Sequence, residues 1–445
     1  MWNFIEAPGF APLPVASHRF WVPLSSILGA IGIAGLGGVA GDFRAAQAAF
    51  VAVAAFLPFV TYAAARRLAA TEPYALGAAA AVGLGGLMAP GLVATDSFAP
   101  AALIGTLFFF AYGRAAEGSW RAGALCGALV GLLYLARTEG ALFGLALLAL
   151  IAGATTRRAG LAGSAVALAI GGAWFARDLA VGVPPDLLAR ATLLVRYESF
   201  FAIASPSAAA FLDALPTVIG AKASALVENA LTAAFTFAIV APPLIAIGAR
   251  RLRVRADVRA WAALLVIVYL AQSLVWTLHS THGSYFHSLA AFVPFGIALA
   301  AVGSERAIGA RAASRVWALG GLALVAAMTA GAVVQWDATF GGLARERRAA
   351  LDAIPSGPFL AIDAAAWRYL GGRGVVITPA DGPVAAACAA ERYGAKSLVL
   401  EAQHFSAYEP IWNGARPAWL GPPETRGSVR VYPIYDATCQ GAIGR

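Results

Sequence analysis

The stretch Pro73–Thr95 reads PYALGAAAAVGLGGLMAPGLVAT and contains no charged side chain. An α-helix rises about 1.5 Å per residue, and the hydrocarbon core of a bilayer is roughly 30 Å thick, so about 20 apolar residues can cross it. Charged residues flank the stretch, with Glu72 shortly before it and Asp96 directly after it. The stretch therefore predicts a transmembrane helix.

Similar apolar stretches recur along most of the chain and together predict about ten transmembrane helices. The composition agrees, because 60% of the residues are hydrophobic, only 12% are charged and the mean hydropathy is +0.73. A soluble chain would carry about 25% charged residues. The predicted fold class is a mainly α polytopic membrane bundle over residues 45–335. Its other predicted helices are Ala45–Ala65, Ser97–Tyr112, Trp120–Ala136, Gly140–Ala154, Gly160–Phe175, Ala225–Ile247, Ala260–Leu278, Ser288–Val302 and Val316–Val334.

The chain is basic, with a net charge of +9 and a pI near 9.8, but its cations do not resemble a nucleic-acid footprint. The only lysines are Lys222 and Lys396, and the arginines lie in short runs between apolar stretches, as in Arg250–Arg255. Short arginine-rich connections are typical of the cytoplasmic side of membrane proteins. We therefore expect the lipid bilayer as a partner and no nucleic acid.

Arginine-rich and arginine-poor connections alternate along the chain. If successive helices alternate in direction, Arg66–Arg67, Arg157–Arg158 and Arg250–Arg255 share one side, which the positive-inside rule assigns to the cytoplasm. Everything after Gln335 then lies on the opposite side. This pattern predicts a multi-pass protein of the inner (cytoplasmic) membrane with an extracytoplasmic C-terminal domain.

The same alternation requires residues 1–44 to end outside the cell. The segment Trp21–Ala40 within them is apolar but rich in glycine, and several prolines precede it. We therefore predict that residues 1–44 form an extracytoplasmic loop in which Trp21–Ala40 is an interfacial helix.

The tail, residues 336–445, changes from long apolar stretches to short ones. The alternation of short strands and helices predicts a small α/β domain with a mixed sheet. Cys388 and Cys439 both lie in this domain and are predicted to be able to pair, since the domain is placed outside. The predicted strands are Phe359–Ile362, Val375–Thr378, Ser397–Leu400 and Val429–Ile434, and the predicted helices are Leu343–Ile354, Ala364–Leu370 and Pro383–Tyr393.

Four stretches resemble the GT-C superfamily of glycosyltransferases, which includes mannosyltransferases and aminoarabinose transferases. Gly131–Gly140 (GLLYLARTEG) resembles the family's GLxxLTRPEG stretch, with threonine in place of proline, and Ala173–Asp178 (AWFARD) resembles its PWxxRN helix end. Tyr393–Glu401 (YGAKSLVLE) is similar to the last part of the family's periplasmic domain. Phe20–Leu24 (FWVPL) is similar to PPLYPLLLA of the first external loop. The likeness covers nearly the whole chain.

This resemblance implies a membrane glycosyltransferase of the cell envelope that moves a sugar from a polyprenyl-phosphate donor to an acceptor on the outer face. In the family, a first transmembrane helix precedes the external loop, and an acidic residue just after that helix serves as base or metal ligand. This chain starts inside the matching loop and lacks the usual first span. Glu6, its only carboxylate before Asp42, is the positional substitute for that base. No cofactor is expected, and a divalent metal has no support in the sequence.

Sugar transfer from a lipid phosphate requires a base for the acceptor and positive charge for the leaving group. Ionisable residues at the external ends of the predicted helices are the candidates, because such groups are costly near lipid and are commonly functional. One shared outward-facing cavity is predicted for Asp96, Arg137, Glu139, Arg177, Asp178 and His287. The predicted catalytic residues are Asp96, Glu139 and Glu6, and the predicted substrate-binding residues are Arg137, Arg177, Asp178, Tyr285 and His287.

Each candidate also has a purely structural interpretation. Asp96 is suited to cap the helix that follows it. Arg137 and Glu139 suit a local ion pair at a turn. Arg177 suits an interfacial arginine at a helix end. Both interpretations are open at the level of sequence.

Histidines crowd one predicted external loop. His279, His282 and His287 lie there with Tyr285, but no carboxylate is near them in sequence, so the pattern favours a polar rim for sugar or phosphate over a metal site. Two non-enzymatic functions are alternatives for the chain, namely a catalytically inactive GT-C-like protein and a transporter or flippase of a lipid-linked substrate.

Overall fold

The computed structural model describes residues 22–180, 192–202, 206–309 and 313–439. The chain divides into two compact units. We call them the membrane unit, whose described residues are 22–180, 221–309 and 313–335, and the tail unit, whose described residues are 192–202, 206–220 and 336–439.

The membrane unit is built of α-helices, which its long apolar stretches require, since a lipid-exposed backbone must satisfy its polar groups within the segment. The helices, including two whose ends fall in the tail unit, are α1 (Leu24–Ala40), α2 (Asp42–Arg67), α3 (Glu72–Leu84), α4 (Ala89–Val93), α5 (Phe98–Ala115), α6 (Trp120–Ala136), α7 (Gly144–Ala152), α8 (Arg157–Ala180), α9 (Leu215–Thr236), α10 (Ala241–Arg251), α11 (Ala256–Leu274), α12 (Thr277–His279), α13 (Tyr285–Leu289), α14 (Val293–Ile308) and α15 (Ala313–Trp336).

Among the described residues, seven helices are long and apolar enough to cross a membrane, and an eighth candidate is formed if α9 and α10 count as one bent span. The segments α1, α6 and Thr138–Ala152 are apolar but shorter. The prediction of a polytopic, mainly α membrane protein with a small C-terminal mixed domain is confirmed.

The predicted single helix Ala225–Ile247 is wrong in its geometry. The chain breaks between α9 and α10, which are inclined by 85° to each other. At the break, Ala238 and Ile239 have φ values of 55° and 58°, which a β-branched residue such as isoleucine rarely adopts. Beyond the break, Gly248 of α10 packs so closely on α14 that an added Cβ would lie 2.1 Å from the carbonyl oxygen of Leu299.

The segment predicted as an interfacial helix is helical from Leu24. Gly41 separates α1 from α2, and the two helices pack closely: a Cβ added at Gly32 would lie 2.2 Å from the carbonyl oxygen of Ala45. The interfacial position of this helix, and the extracytoplasmic placement of residues 1–44, stay predictions.

Glycines spaced four residues apart let α6 and α8 approach each other. A Cβ added at Gly123 would lie 2.1 Å from the carbonyl oxygen of Ala159, and one added at Gly127 would lie 2.0 Å from that of Gly163. In lipid, where helices gain nothing from hiding apolar surface from water, such close backbone packing is a main source of association. This pairing fixes the helix whose C-terminal end carries Arg137.

The tail unit contains one five-stranded sheet, β1 (Phe359–Ala361), β2 (Val375–Ile377), β3 (Ser397–Glu401), β4 (Glu424–Arg426) and β5 (Val429–Pro433). The strand order is β2-β1-β3-β5-β4, in which β1, β2 and β3 are parallel and the last two pairings are antiparallel. Three of its helices are α16 (Gly342–Ala350), α17 (Ala364–Gly371) and α18 (Pro383–Tyr393). The sequence missed β4, whose residues are all exposed.

A buried ion pair fastens α16 to the sheet. Arg347 donates from Nε and Nη2 to the two carboxylate oxygens of Glu401 on β3 at 2.6 and 2.9 Å, and from Nη1 to Asp363 at 2.7 Å. The side chains of Arg347 and Glu401 are only 10% and 8% exposed. Removal of either side chain would therefore leave the other charge buried without a partner.

A disulfide joins Cys388 of α18 to Cys439, with Cα atoms 4.2 Å apart. The predicted pairing of these two cysteines is confirmed. Cys126 of α6 is buried and free, as a small apolar side chain in a membrane helix would be.

We predict that Gly127→Ala destabilises the membrane unit, because its methyl group would collide with the Gly163 carbonyl. Overpacking of this kind typically costs about 1–3 kcal/mol. The thermal unfolding midpoint of the purified protein in detergent measures the effect. Gly172→Ala on α8 is the matched control, since no atom lies within 4 Å of its added Cβ. Equal midpoints for the two variants would contradict the steric account.

We predict that Arg347→Met destabilises the tail unit by about 3–5 kcal/mol, because it leaves the Glu401 carboxylate buried without a partner. Urea unfolding followed by tryptophan fluorescence reports the change, since Trp367 lies under the Arg347 guanidinium. Arg345→Met is the control: Arg345 pairs with Asp337, and both side chains are more than half exposed. An exposed pair contributes at most about 1 kcal/mol, so similar losses in both variants would refute the prediction.

Candidate functional site

Polar side chains from four separate segments of the membrane unit meet in one cluster, which we call the polar site. It comprises Asp96 and Ser97 before α5, Arg137 and Glu139 after α6, Gln272 on α11, and Ser284, His287 and Ser288 around α13. All of them belong to the membrane unit.

Glu139 is the centre of the polar site. Its Oε1 accepts hydrogen bonds from Arg137 Nε at 2.9 Å, Gln272 Nε2 at 3.0 Å, Ser284 Oγ at 3.0 Å and Ser288 Oγ at 2.8 Å. The Glu139 side chain is only 8% exposed. A carboxylate taken out of water needs such donors, because burying it unpaired costs several kcal/mol.

The backbone after α6 brings Arg137 and Glu139 to the same place. Arg137 leaves the helix in an extended conformation, and a 3₁₀ helix, Thr138–Phe143, follows directly. Gly140 closes this turn against α6, where an added Cβ would lie 2.3 Å from the carbonyl carbon of Leu133. The GLLYLARTEG stretch therefore needs its last glycine for a steric reason.

Arg137 makes close hydrogen bonds through Nη2 and a longer one through Nη1. Its Nη2 bonds Glu139 at 2.5 Å and Ser284 Oγ at 2.8 Å, while its Nη1 only reaches Ser97 Oγ at 3.4 Å. The side chain keeps 16% exposure. These hydrogen bonds fix the orientation of the guanidinium group, with Nη1 directed toward Ser97, which follows Asp96 in the chain.

Asp96 and His287 form the more accessible part of the polar site. His287 Nδ1 lies 3.5 Å from Asp96 Oδ2, and the side chains are 23% and 42% exposed. The His287 ring packs on Phe98 with centroids 4.0 Å apart. Asp96 also accepts a hydrogen bond from the Ser97 N–H, so its capping role and its place in the site coexist.

Asp96 is a carboxylate at neutral pH. Burial alone would raise its pKa, but the neighbouring His287, the hydrogen bond from the Ser97 N–H and the charge of Arg137 lower the pKa well below its ordinary value. Its negative charge is therefore a permanent feature of the site over the physiological pH range.

A kink in the chain sets the direction of Ser284 and His287. The segment Ser280–Ser284 is π-helical and departs from helical geometry at His282 and at Gly283, whose φ is 104°. Single π turns within α-helices are frequent at functional sites. Asn229 of α9 donates hydrogen bonds to the hydroxyl groups of Ser273 and Ser280 at 2.9 and 3.0 Å. These bonds fix the start of the kinked segment.

Of the six residues expected to share a cavity, the structure brings together Asp96, Arg137, Glu139 and His287. Arg177 and Asp178 form an ion pair with each other at 2.8 Å at the end of α8. The Arg177 guanidinium also lies 4.6 Å from the centre of the Trp174 ring.

The remaining candidates occupy other positions. Tyr285 is 1% exposed, with its ring edge-on to Tyr269, which places it in the core. Glu6 lies outside the described residues. Within the part of the chain that the structure describes, no group of three or more His, Cys, Asp or Glu side chains is arranged to hold a metal ion.

Sequence reasoning missed the neutral members of the polar site, Ser97, Gln272, Ser284 and Ser288. Gln272 carried a usable signal, since it is an amide near the end of a long apolar stretch, and polar groups at membrane depth normally face a partner. Ser284 and Ser288 are four residues apart and so share a helix face, but serine is too common in membrane helices for that spacing to single them out.

The comparisons find similarity in fold and none in sequence. No family model and no curated protein matches the chain in sequence. The chain superposes on ArnT from Cupriavidus metallidurans bound to undecaprenyl phosphate with a TM-score of 0.56 and 15% identity, covering 95% of this chain and 89% of ArnT. Apo ArnT gives a TM-score of 0.52 at 15% identity, covering 93% and 87%. These matches show that the chain shares the fold of ArnT.

Proposed function

We propose that this multi-pass membrane protein with the GT-C fold is a glycosyltransferase that moves a sugar from a polyprenyl-phosphate donor to an acceptor. The observation that carries the proposal is the polar site itself. It presents a guanidinium group of fixed direction beside an accessible pair formed by the Asp96 carboxylate and His287. A scaffold protein has no need to keep such groups together in an apolar bundle.

The geometry suits the departure of a phosphate. When the bond between the sugar's anomeric carbon and the phosphate oxygen breaks, negative charge grows on that oxygen. Preorganised cationic donors stabilise such charge without having to reorganise, and arginine matches phosphate oxygens with two parallel N–H donors. Arg137 is held by Glu139 and Ser284 on one edge, so its Nη1 edge is available to the donor. The acceptor's proton would go to the Asp96–His287 pair.

A polyprenyl-phosphate partner has independent support from the fold comparison. ArnT, whose fold the chain shares, has been seen bound to undecaprenyl phosphate. The apolar helices around the polar site would accommodate the lipid chain.

We infer that the protein lies in the inner membrane with its tail unit outside the cytoplasm. The alternation of arginine-rich connections supports this orientation. The Cys388–Cys439 disulfide supports it too, because disulfides persist in oxidising compartments and are rare in the cytosol.

We predict that the purified protein releases polyprenyl phosphate from a polyprenyl-phosphate sugar, and that Arg137→Gln with Glu139→Gln lowers this rate at least about 10²-fold. The double variant removes both charges together, which avoids leaving a buried carboxylate unpaired and so preserves the fold. Mass spectrometry of the released lipid measures the rate.

Arg345→Gln is the control variant, because Arg345 forms an exposed ion pair in the tail unit. It should retain the wild-type rate. A double variant as active as wild type would dismiss Arg137 as a phosphate ligand. A wild-type protein that turns over no polyprenyl-phosphate sugar would instead support the inactive GT-C-like alternative.

We predict that Cys439, which is exposed in the tail unit, resists a membrane-impermeant maleimide in intact cells until a reducing agent is added, and then reacts. Gel-shift counting of the attached groups measures this. Cys126 is the internal control, since it is buried and should stay unmodified in the folded protein. No labelling of Cys439 after reduction, with labelling restored in opened cells, would place the tail unit in the cytoplasm.

A further inference from the structure

We propose that His287 is the general base of the transfer reaction and that Asp96 is its positioning residue. This inference rests on the proposed glycosyl transfer and assigns the proton that the transfer must remove. It reverses the expectation from sequence, in which Asp96 was a catalytic base and His287 a substrate-binding residue.

The two nitrogens of the His287 ring have different surroundings. Nδ1 is buried and has no hydrogen-bond partner among the described residues. Its polar neighbour is Asp96 Oδ2, which lies 3.5 Å away. The side chain as a whole is 23% exposed. Nε2 lies on the other edge of the ring, away from the buried Nδ1.

The neighbouring carboxylate decides which nitrogen carries the proton of the neutral ring. A negatively charged acceptor facing Nδ1 favours the tautomer with the proton on Nδ1, and this leaves a lone pair on Nε2. The 3.5 Å separation is long for a hydrogen bond, but such contacts are often loose without substrate and shorten in the reacting complex. The contact with Phe98 holds the plane of the ring.

Neither carboxylate of the polar site is as suitable a base. Glu139 is 8% exposed, its Oε1 accepts hydrogen bonds from four side chains and its Oε2 accepts one from Thr138, so both oxygens have donors that stabilise the charged form and oppose protonation. The lowered pKa of Asp96 makes it a weak base. An imidazole, by contrast, changes charge between about pH 5 and 8, where a general base is most effective.

In the proposed step, an acceptor hydroxyl oxygen forms a bond to the anomeric carbon of the donor sugar while its proton moves to His287 Nε2. The bond between the anomeric carbon and the phosphate oxygen breaks, and the electron pair leaves with the phosphate beside Arg137. The imidazolium formed is stabilised by Asp96. The proton later passes to water or to the released phosphate, which restores the starting state.

The test compares the pH dependence of kcat/KM for wild type and variants between pH 5 and 9. Wild type should lose activity as the pH falls, because the imidazole becomes protonated. The charged and titratable groups of this part of the membrane unit are Asp96, Arg137, Glu139 and His279. His287→Gln should lower kcat by about 10²–10⁴-fold, change the donor KM by less than about threefold, and lose the acid limb of the profile.

Two further variants separate catalysis from packing. His287→Ala should regain activity with added imidazole, which a merely structural role would not permit. Asp96→Asn should retain the fold, lower kcat at least about tenfold and move the acid limb to lower pH, because the imidazolium loses its counter-charge.

Several results would overturn the assignment. An acid limb that persists in His287→Gln would return the base role to Asp96 or another group. Absence of imidazole rescue in a folded, donor-binding His287→Ala protein would leave His287 a packing residue, with the proposed glycosyl transfer untouched. Absence of wild-type turnover would remove both the proposed function and the base.

Discussion

The cost of burying the Glu139 carboxylate among apolar helices is the constraint on which the polar site depends. A charge in this position must be neutralised and hydrogen-bonded, and its donors come from its own turn, from α11 and from the segment around α13. These segments are far apart in sequence, so satisfying one oxygen fixes their mutual positions. The tail unit applies the same rule at Arg347 and Glu401, where a buried pair joins a helix to a strand.

The two carboxylates of the polar site have different surroundings and therefore suit different work. Glu139 is buried and saturated with donors, whereas Asp96 is half-exposed and faces a single histidine. Glu139 orients the Arg137 guanidinium, and Asp96 is suited to orient His287, the proposed base. Residue type alone does not distinguish these roles, because both are acids at the ends of apolar helices.

Much of the fold was predictable from sequence, since length and hydrophobicity specify membrane helices and alternating short elements specify the tail. The meeting of Asp96, Arg137, Glu139 and His287 also followed from charge placement, because all lie at helix ends predicted to share one side. The break at residues 237–240 had a signal that the prediction overlooked, since Pro242 and Pro243 stand at the start of α10 and proline within an apolar helical pattern ends or kinks the helix before it. The contribution of Gln272 and the serines required the contacts themselves, because neutral side chains leave no charge pattern. Strand β4 was missed because an exposed edge strand has no apolar alternation.

The break between α9 and α10 also has a mechanical consequence. A straight helix transmits an axial push from one end to the other, whereas two rods inclined by 85° do not. The α9 half is fastened to Ser273 and Ser280 next to the polar site, while the α10 half is locked through Gly248 against α14. The corner therefore lets one stretch of chain support two places, the segment before α13 through Asn229 and α14 through Gly248.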